Sequence, residues 1–291
     1  MNEKLTLLHV GCGELNIRHT PKGFQVGHWQ ELRLDIDKRH NADILGSITD
    51  MKSVADNSID AIYSSQNIEH LFAHEVGEAL NEFYRVLKPS GFAVISCPDI
   101  QALGEAISAG NITKPLYTSS QGPISALDIL YGHRQAIRDG RHFMAHKTAF
   151  TNITLAAALR DVGFRTIGVK KVKEGQDSLW AVAFKSATDQ PILKHALDYY
   201  ANRWRVGHAL KNADAGYAPD QFDLGGLHEN GIILRRDNVH AYKWYSISHD
   251  GSKDAELRDM ALKARDRVAE NMTPAQIGEA QRLASAWKPT K

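Results

Sequence analysis

The run Leu5-Thr6-Leu7-Leu8-His9-Val10 is apolar enough for a buried strand, and it passes directly into Gly11-Cys12-Gly13. A strand followed at once by two glycines makes a tight turn in which the backbone can approach a ligand closely. After roughly twenty residues, Leu32-Arg33-Leu34-Asp35-Ile36-Asp37 reads as a second strand ending in acid. A carboxylate in that place can accept hydrogen bonds from a ribose diol. Asp35 is the candidate acceptor and Asp37 the competing one. Gly13 is followed by Glu14-Leu15-Asn16-Ile17, so the six-residue glycine pattern of dinucleotide sites is missing. That counts against a pyrophosphate cradle and towards a nucleoside ligand without phosphate.

The next segments keep alternating. Ile59 to Ser65 reads as a buried strand. Ala73 to Lys88 reads as an amphipathic helix with Val76, Leu80, Phe83 and Leu87 on one face, stopped at Pro89-Ser90-Gly91. Phe92 to Cys97 is the following strand, and Thr151 to Val162 a helix with a Thr cap and a Gly163 stop. Arg165–Lys173 and Ser178–Lys185 read as a hairpin. Strand–helix alternation implies an α/β fold with a mainly parallel sheet covered on both faces, here ending in an antiparallel strand. Between 100 and 150 the period breaks into a long insert with Tyr117, Tyr131, His133, His142 and His146, read as a lid or substrate wall. Ala187-Thr188-Asp189-Gln190-Pro191 reads as a boundary. The expected domains are 1–187, containing that insert, and an all-α segment over 188–291.

A net charge of +1 with no Lys/Arg run removes the footprint of a duplex-binding protein. No apolar run approaches membrane-spanning length, and no signal peptide is read. Cys12 and Cys97 lack metal-ligand spacing, which reads as a reduced, cytoplasmic protein.

Val10-Gly11-Cys12-Gly13, Asp35, Ile59–Ser65, Asn67-Ile68-Glu69-His70-Leu71 and Glu82–Gly91 occur here in one order. In that combination the chain resembles the class I S-adenosylmethionine-dependent methyltransferases, and within them a bacterial subgroup with small-molecule or sugar-like substrates. The resemblance covers about Leu5 to Lys185 and implies a Rossmann-like seven-stranded sheet. It implies that Gly11, Cys12 and Gly13 pack against the amino-acid end of S-adenosylmethionine and that Asp35 holds its ribose. It further implies that backbone at Ser47 and Ile48 meets the adenine, and that Asn67 or Gln66 lines the methionine side. His9 and Ser47 depart from the family's usual residues. A second resemblance, on Leu224-Gly225, Gly231, Asp237, Ala241 and Trp244-Tyr245, is to a Sel1-like repeat, a relative of the tetratricopeptide helical pair. A weaker match lies around Tyr200 to Gly216. So few repeats imply that this tail leans on the first domain, a homodimer mate or a protein partner.

Glu69 and His70 stand past the carboxyl end of a buried strand, where open parallel sheets place ligands; they either touch cofactor or substrate or cap the next helix. His133 and His146 are candidate bases for a substrate hydroxyl or amine, against the reading of structural imidazoles bonded to backbone. Tyr131, Arg134 and Lys147 share their wall and would contact an acceptor. No carboxylate or His partner stands at a strong ligand spacing from either His, so the chain is read without a metal. The expected function is methyl transfer to a small-molecule or sugar-like acceptor, at O or N. The competing reading is a methyltransferase-fold scaffold whose helical tail engages a protein partner.

Overall fold

The computed structural model describes residues 4–25, 28–119, 122–174, 176–200, 212–231 and 236–290. Contacts divide them into two units: one of residues 1–20 and 29–193, the other of residues 21–28 and 194–291.

The first unit is built on β1 (Leu5–Val10), β2 (Trp29–Asp35), β3 (Ile44–Leu45), β4 (Ile59–Ser65), β5 (Leu87–Pro98), β8 (Thr166–Glu174) and β9 (Gln176–Phe184). They form one seven-stranded sheet in the order β3-β2-β1-β4-β5-β9-β8. The first five are parallel; β9 runs antiparallel to both β5 and β8. The expected Rossmann-like α/β sheet with its antiparallel closing strand is therefore present. Leu7, Leu8 and Val10 of β1 are fully buried, as a central parallel strand requires.

Helix α1 (Ala73–Val86) buries Val76, Ala79, Leu80, Phe83 and Val86. With α5 (Asn152–Asp161) it shares a core with Leu8, Ile62, Ile95 and Ala183. Side chains alternate across a strand, so the neighbours point to the opposite sheet face. There an aromatic layer forms, with Tyr63 stacked on Trp180 and Trp29 edge-on to Phe92. Thr151 caps α5 and Gly163 follows it with φ +110°, as the cap and stop residues predict. Strand β5 begins earlier than its apolar run suggests. Leu87 is drawn onto Ile59 by ladder pairing, with an irregularity before Phe92 joins Ala61.

The insert carries its own short elements: α2 (Ile100–Ser108), the antiparallel pair β6 (Pro115–Ser119) and β7 (Gly122–Ser125), α3 (Ala126–Tyr131) and α4 (Arg134–Arg138). A bridge between Gly132 and Ala145 closes its far part.

The second unit contains α7 (Ala218–Asn230), α8 (Asn238–Gly251), α9 (Ala255–Ala269) and α10 (Pro274–Ala286). It also holds the end of α6 (Gln190–Tyr200), whose Tyr200 packs on Phe24 with ring centroids 4.5 Å apart. Gly231 ends α7 in the left-handed region and Asp237 caps α8 through the amides of Val239 and His240. Gly225 lets the two helices approach: a Cβ there would stand 2.5 Å from the Tyr245 ring. Tyr245 donates to Glu229 (2.6 Å), which Arg267 also grips (2.8 and 2.8 Å). Most of the weaker repeat match, and Trp204, lie outside the described residues.

Candidate active site

The chain steps outward from β1 through β2 to β3 and then restarts on the other side of β1 with β4. Such a reversal opens a crevice at the carboxyl ends of the two strands. Gly11–Gly13 leaves β1 on one side of it, and Gln66–His70 leaves β4 on the other.

Gly11 and Gly13 both take positive φ, +58° and +56°. Gly11 is exposed. A Cβ on Gly11 would lie 2.5 Å from Asn67 Cγ, so the two sides of the crevice meet there in van der Waals contact. At Gly13 a Cβ would meet nothing within 4 Å, leaving open space over the turn. The turn is tied to β2. Gly11 donates to the Leu34 carbonyl (2.9 Å), and Arg33 reaches the carbonyls of Gly13 (2.7 Å) and Leu15 (3.1 Å). Cys12 is buried inside the turn, and burial pushes its thiol up to about 11.

Asp35 is buried, and its two oxygens accept from the amides of Gly13 (2.7 Å) and Asp37 (2.8 Å). Each carboxylate oxygen keeps a second lone pair for a ligand hydroxyl. Asp37, the competing acid, is held by Arg39 at 2.5–2.9 Å. That guanidinium keeps its carboxyl well below the usual range. Ile36 and Leu45 are 60% and 64% exposed, and Leu45 pairs with Asp35 across the sheet, so an apolar rim borders the carboxylate. Ser47 turns its hydroxyl onto Thr49 (2.7 Å), and the Ile48 side chain belongs to the core. Gln66 has φ +51°, a conformation that strained functional turns adopt.

Past Asn67, a short turn buries Glu69 completely. Burial raises its carboxyl to about 8. The amides of Glu69 and Asn67 oppose this, yet neither carboxylate oxygen has a formed hydrogen bond. The His70 ring meets the Ala145 carbonyl through Nδ1 (3.2 Å), and burial lowers it to about 4. Its ring lies 4.8 Å from that of His146, whose Nδ1 meets the Ile129 carbonyl at 2.6 Å. Burial lowers His146 as well. The amides of Lys147 and Thr148 both donate to the Glu69 carbonyl (2.9 and 3.2 Å), which stitches the insert to the β4 turn.

The remaining insert residues are more locally engaged. His133 accepts the Ala136 amide (3.3 Å) as the cap of α4. Arg134 forms a two-pronged pair with Asp128 (2.5 and 3.0 Å). Lys147 lies over the Phe72 ring at 4.5 Å, and Tyr131 is 61% exposed.

Residues 8–95 match the family model described as "Methyltransferase domain". No curated protein matches the chain. Among solved structures, a SAM-dependent methyltransferase from Archaeoglobus fulgidus is 16% identical, with 62% of this chain and 86% of that one covered and a TM-score of 0.40. The 1,6-didemethyltoxoflavin-N1-methyltransferase of Burkholderia thailandensis, bound to 1,6-didemethyltoxoflavin and S-adenosylhomocysteine, is 14% identical, covering 64% and 72%, with a TM-score of 0.41. Over residues 8–95 the chain is thus similar to a methyltransferase domain.

That match supports an enzyme, with S-adenosylmethionine as its methyl donor. The crevice fits such a donor in three ways. The glycine turn is open, the Asp35 carboxylate is fixed beside it, and the nearby rim of Leu15, Ile36 and Leu45 is apolar and exposed. The sequence pattern misses Arg33, which clamps the methyltransferase turn, because a lone arginine in a strand has no special signature. It also misses the meeting of His70 and His146, since the insert brings the second from far along the chain.

Proposed function

We propose that this crevice binds S-adenosylmethionine and that the chain methylates a small-molecule or sugar-like acceptor at oxygen or nitrogen. The observation that carries the reading is the glycine turn, packed against Asn67 at Gly11 and open at Gly13, with Asp35 hydrogen-bonded to Gly13. When bound, the cofactor supplies a methyl group already activated on a sulfonium.

Asp35 accepts the ribose hydroxyls on its free lone pairs. Gly11, Cys12 and Gly13 offer backbone to the amino-acid end, Gln66 and Asn67 border the methionine chain, and backbone at Ser47 and Ile48 borders the adenine. Glu69, His70, Tyr131, Arg134 and Lys147 wall the acceptor side. His133 or His146 takes the proton when the acceptor is a hydroxyl; a neutral amine needs no base. Holding the acceptor in line and excluding water supplies most of the acceleration. The helical unit is read as Sel1-like on its Gly225–Tyr245 contact, Gly231 stop and Asp237 cap, and as a surface for a second copy or a protein partner. Two free, buried cysteines favour a reducing, cytoplasmic setting. Among the described residues no helix is long and apolar enough to cross a membrane.

Mass spectrometry of a panel of sugar, hydroxyl and amine acceptors incubated with S-adenosylmethionine tests the activity. One acceptor should gain a methyl as S-adenosylhomocysteine accumulates. Cofactor binding with no transfer to any acceptor class would favour the scaffold.

A further inference from the structure

Glu69, His70 and His146 each offer a ligand atom, and these atoms all lie within 4.8 Å of one another. The carboxylate is fully enclosed, with neither oxygen hydrogen-bonded. An enclosed carboxylate with no formed hydrogen bond is costly, and either a proton or a bound cation relieves it. Lys147 does not supply the counter-charge, since its ammonium sits over Phe72. The His146 imidazole is oriented as a metal ligand is. A carbonyl only accepts, so the His146 Nδ1 facing Ile129 carries the proton and its Nε2 keeps its lone pair; the His70 ring meets the Ala145 carbonyl through Nδ1 and also faces the Gln66 backbone, a contact it gives up to take an ion. A backbone carbonyl behind each ligating imidazole is the usual outer support of such a site.

We propose that Glu69, His70 and His146 bind one divalent first-row transition ion, with zinc the best match to two imidazoles and one carboxylate. Bonds of about 2.1 Å in a tetrahedral shell place ligands about 3.4 Å apart, so the widest separation among the three ligand atoms closes by up to about 1.4 Å on loading. Three protein ligands leave an open position, as in catalytic rather than structural sites. The site stands at the carboxyl end of β4, two residues beyond the Asn67 that touches Gly11. On the reading that this crevice transfers methyl groups, the open position takes an oxygen of the acceptor and orients it.

The test is calorimetric titration of zinc into the full chain after chelator treatment, alone and with S-adenosylhomocysteine present. One zinc should bind per chain, and Glu69→Gln and His146→Ala should each weaken it about a hundredfold while circular dichroism stays native. Cobalt(II) added to the unmutated chain should give the visible bands of a four- or five-coordinate ion, a readout that needs no variant. A folded chain that takes up no stoichiometric zinc, or variants that bind as tightly, would overturn the site. If S-adenosylhomocysteine still binds in that case, the metal proposal alone falls and methyl transfer stands.

Discussion

At the scale of single residues, the nucleoside side of the crevice is already organised by the protein's own hydrogen bonds. Asp35 is the centre of that order, because it accepts from the amides on both flanks of the crevice's first corner. Asp35→Ala therefore removes more than a ligand contact. It orphans two amides at about 1–3 kcal/mol each, and a charge-assisted acceptor worth about 1.5–3 kcal/mol to a ribose. Affinity for S-adenosylhomocysteine should fall about ten- to a hundredfold, with a lowered melting temperature in the same protein. Asp37 cannot replace it, since Arg39 occupies its oxygens. Unchanged affinity would therefore remove the ribose role from this strand end altogether. The acceptor side is different in kind. Arg134 is paired with Asp128 and His133 caps α4, whereas His146 is brought beside His70 and Glu69. Of the two candidate bases, His146 is the one set into the crevice's own cluster, and where that cluster holds an ion the proton falls to His133.

At the scale of elements, local chemistry explains what was legible and what was not. The Thr151 cap, the Gly163 stop and the apolar run of β4 are signals carried by adjacent residues, and the structure follows them. The early start of β5 was not legible, because it depends on Ile59 pairing with Leu87 across the sheet. The Glu69–His70–His146 cluster was hidden for the same reason: ligand spacing reads neighbours, and the insert folds one member back from a distant segment. The insert's short helices and hairpin were legible only as a broken period. In the helical unit, by contrast, Gly225 gives a sharp expectation. Gly225→Ala drives a methyl into the Tyr245 ring, an overpacking worth about 1–3 kcal/mol. The denaturation midpoint followed by Trp244 and Trp287 fluorescence should fall; an unchanged midpoint would mean that the two helices are not held by this contact.

At the scale of the whole molecule, the two units do not divide the chain at a single point. Residues 21–28 belong with the helical unit, and Phe24, fully buried, stacks on Tyr200. Deleting 191–291 removes Tyr200 and leaves Phe24 without its ring partner. The shortened chain should aggregate or change mass by light scattering and melt at a lower temperature. A truncated protein that stays soluble, equally stable and unchanged in mass would make the tail an independent arm. The central claim, that the β1–β4 crevice holds S-adenosylmethionine, is tested most directly by calorimetric titration of S-adenosylhomocysteine into the unmutated chain and into Gly11→Ala. The added methyl meets Asn67 in a turn that already demands positive φ, which costs about 1–2 kcal/mol from conformation alone. The account predicts one site per chain in the unmutated protein and at least about tenfold weaker binding in the variant. A folded, unmutated chain that releases no heat of binding, or a Gly11→Ala variant that binds as tightly, would contradict it.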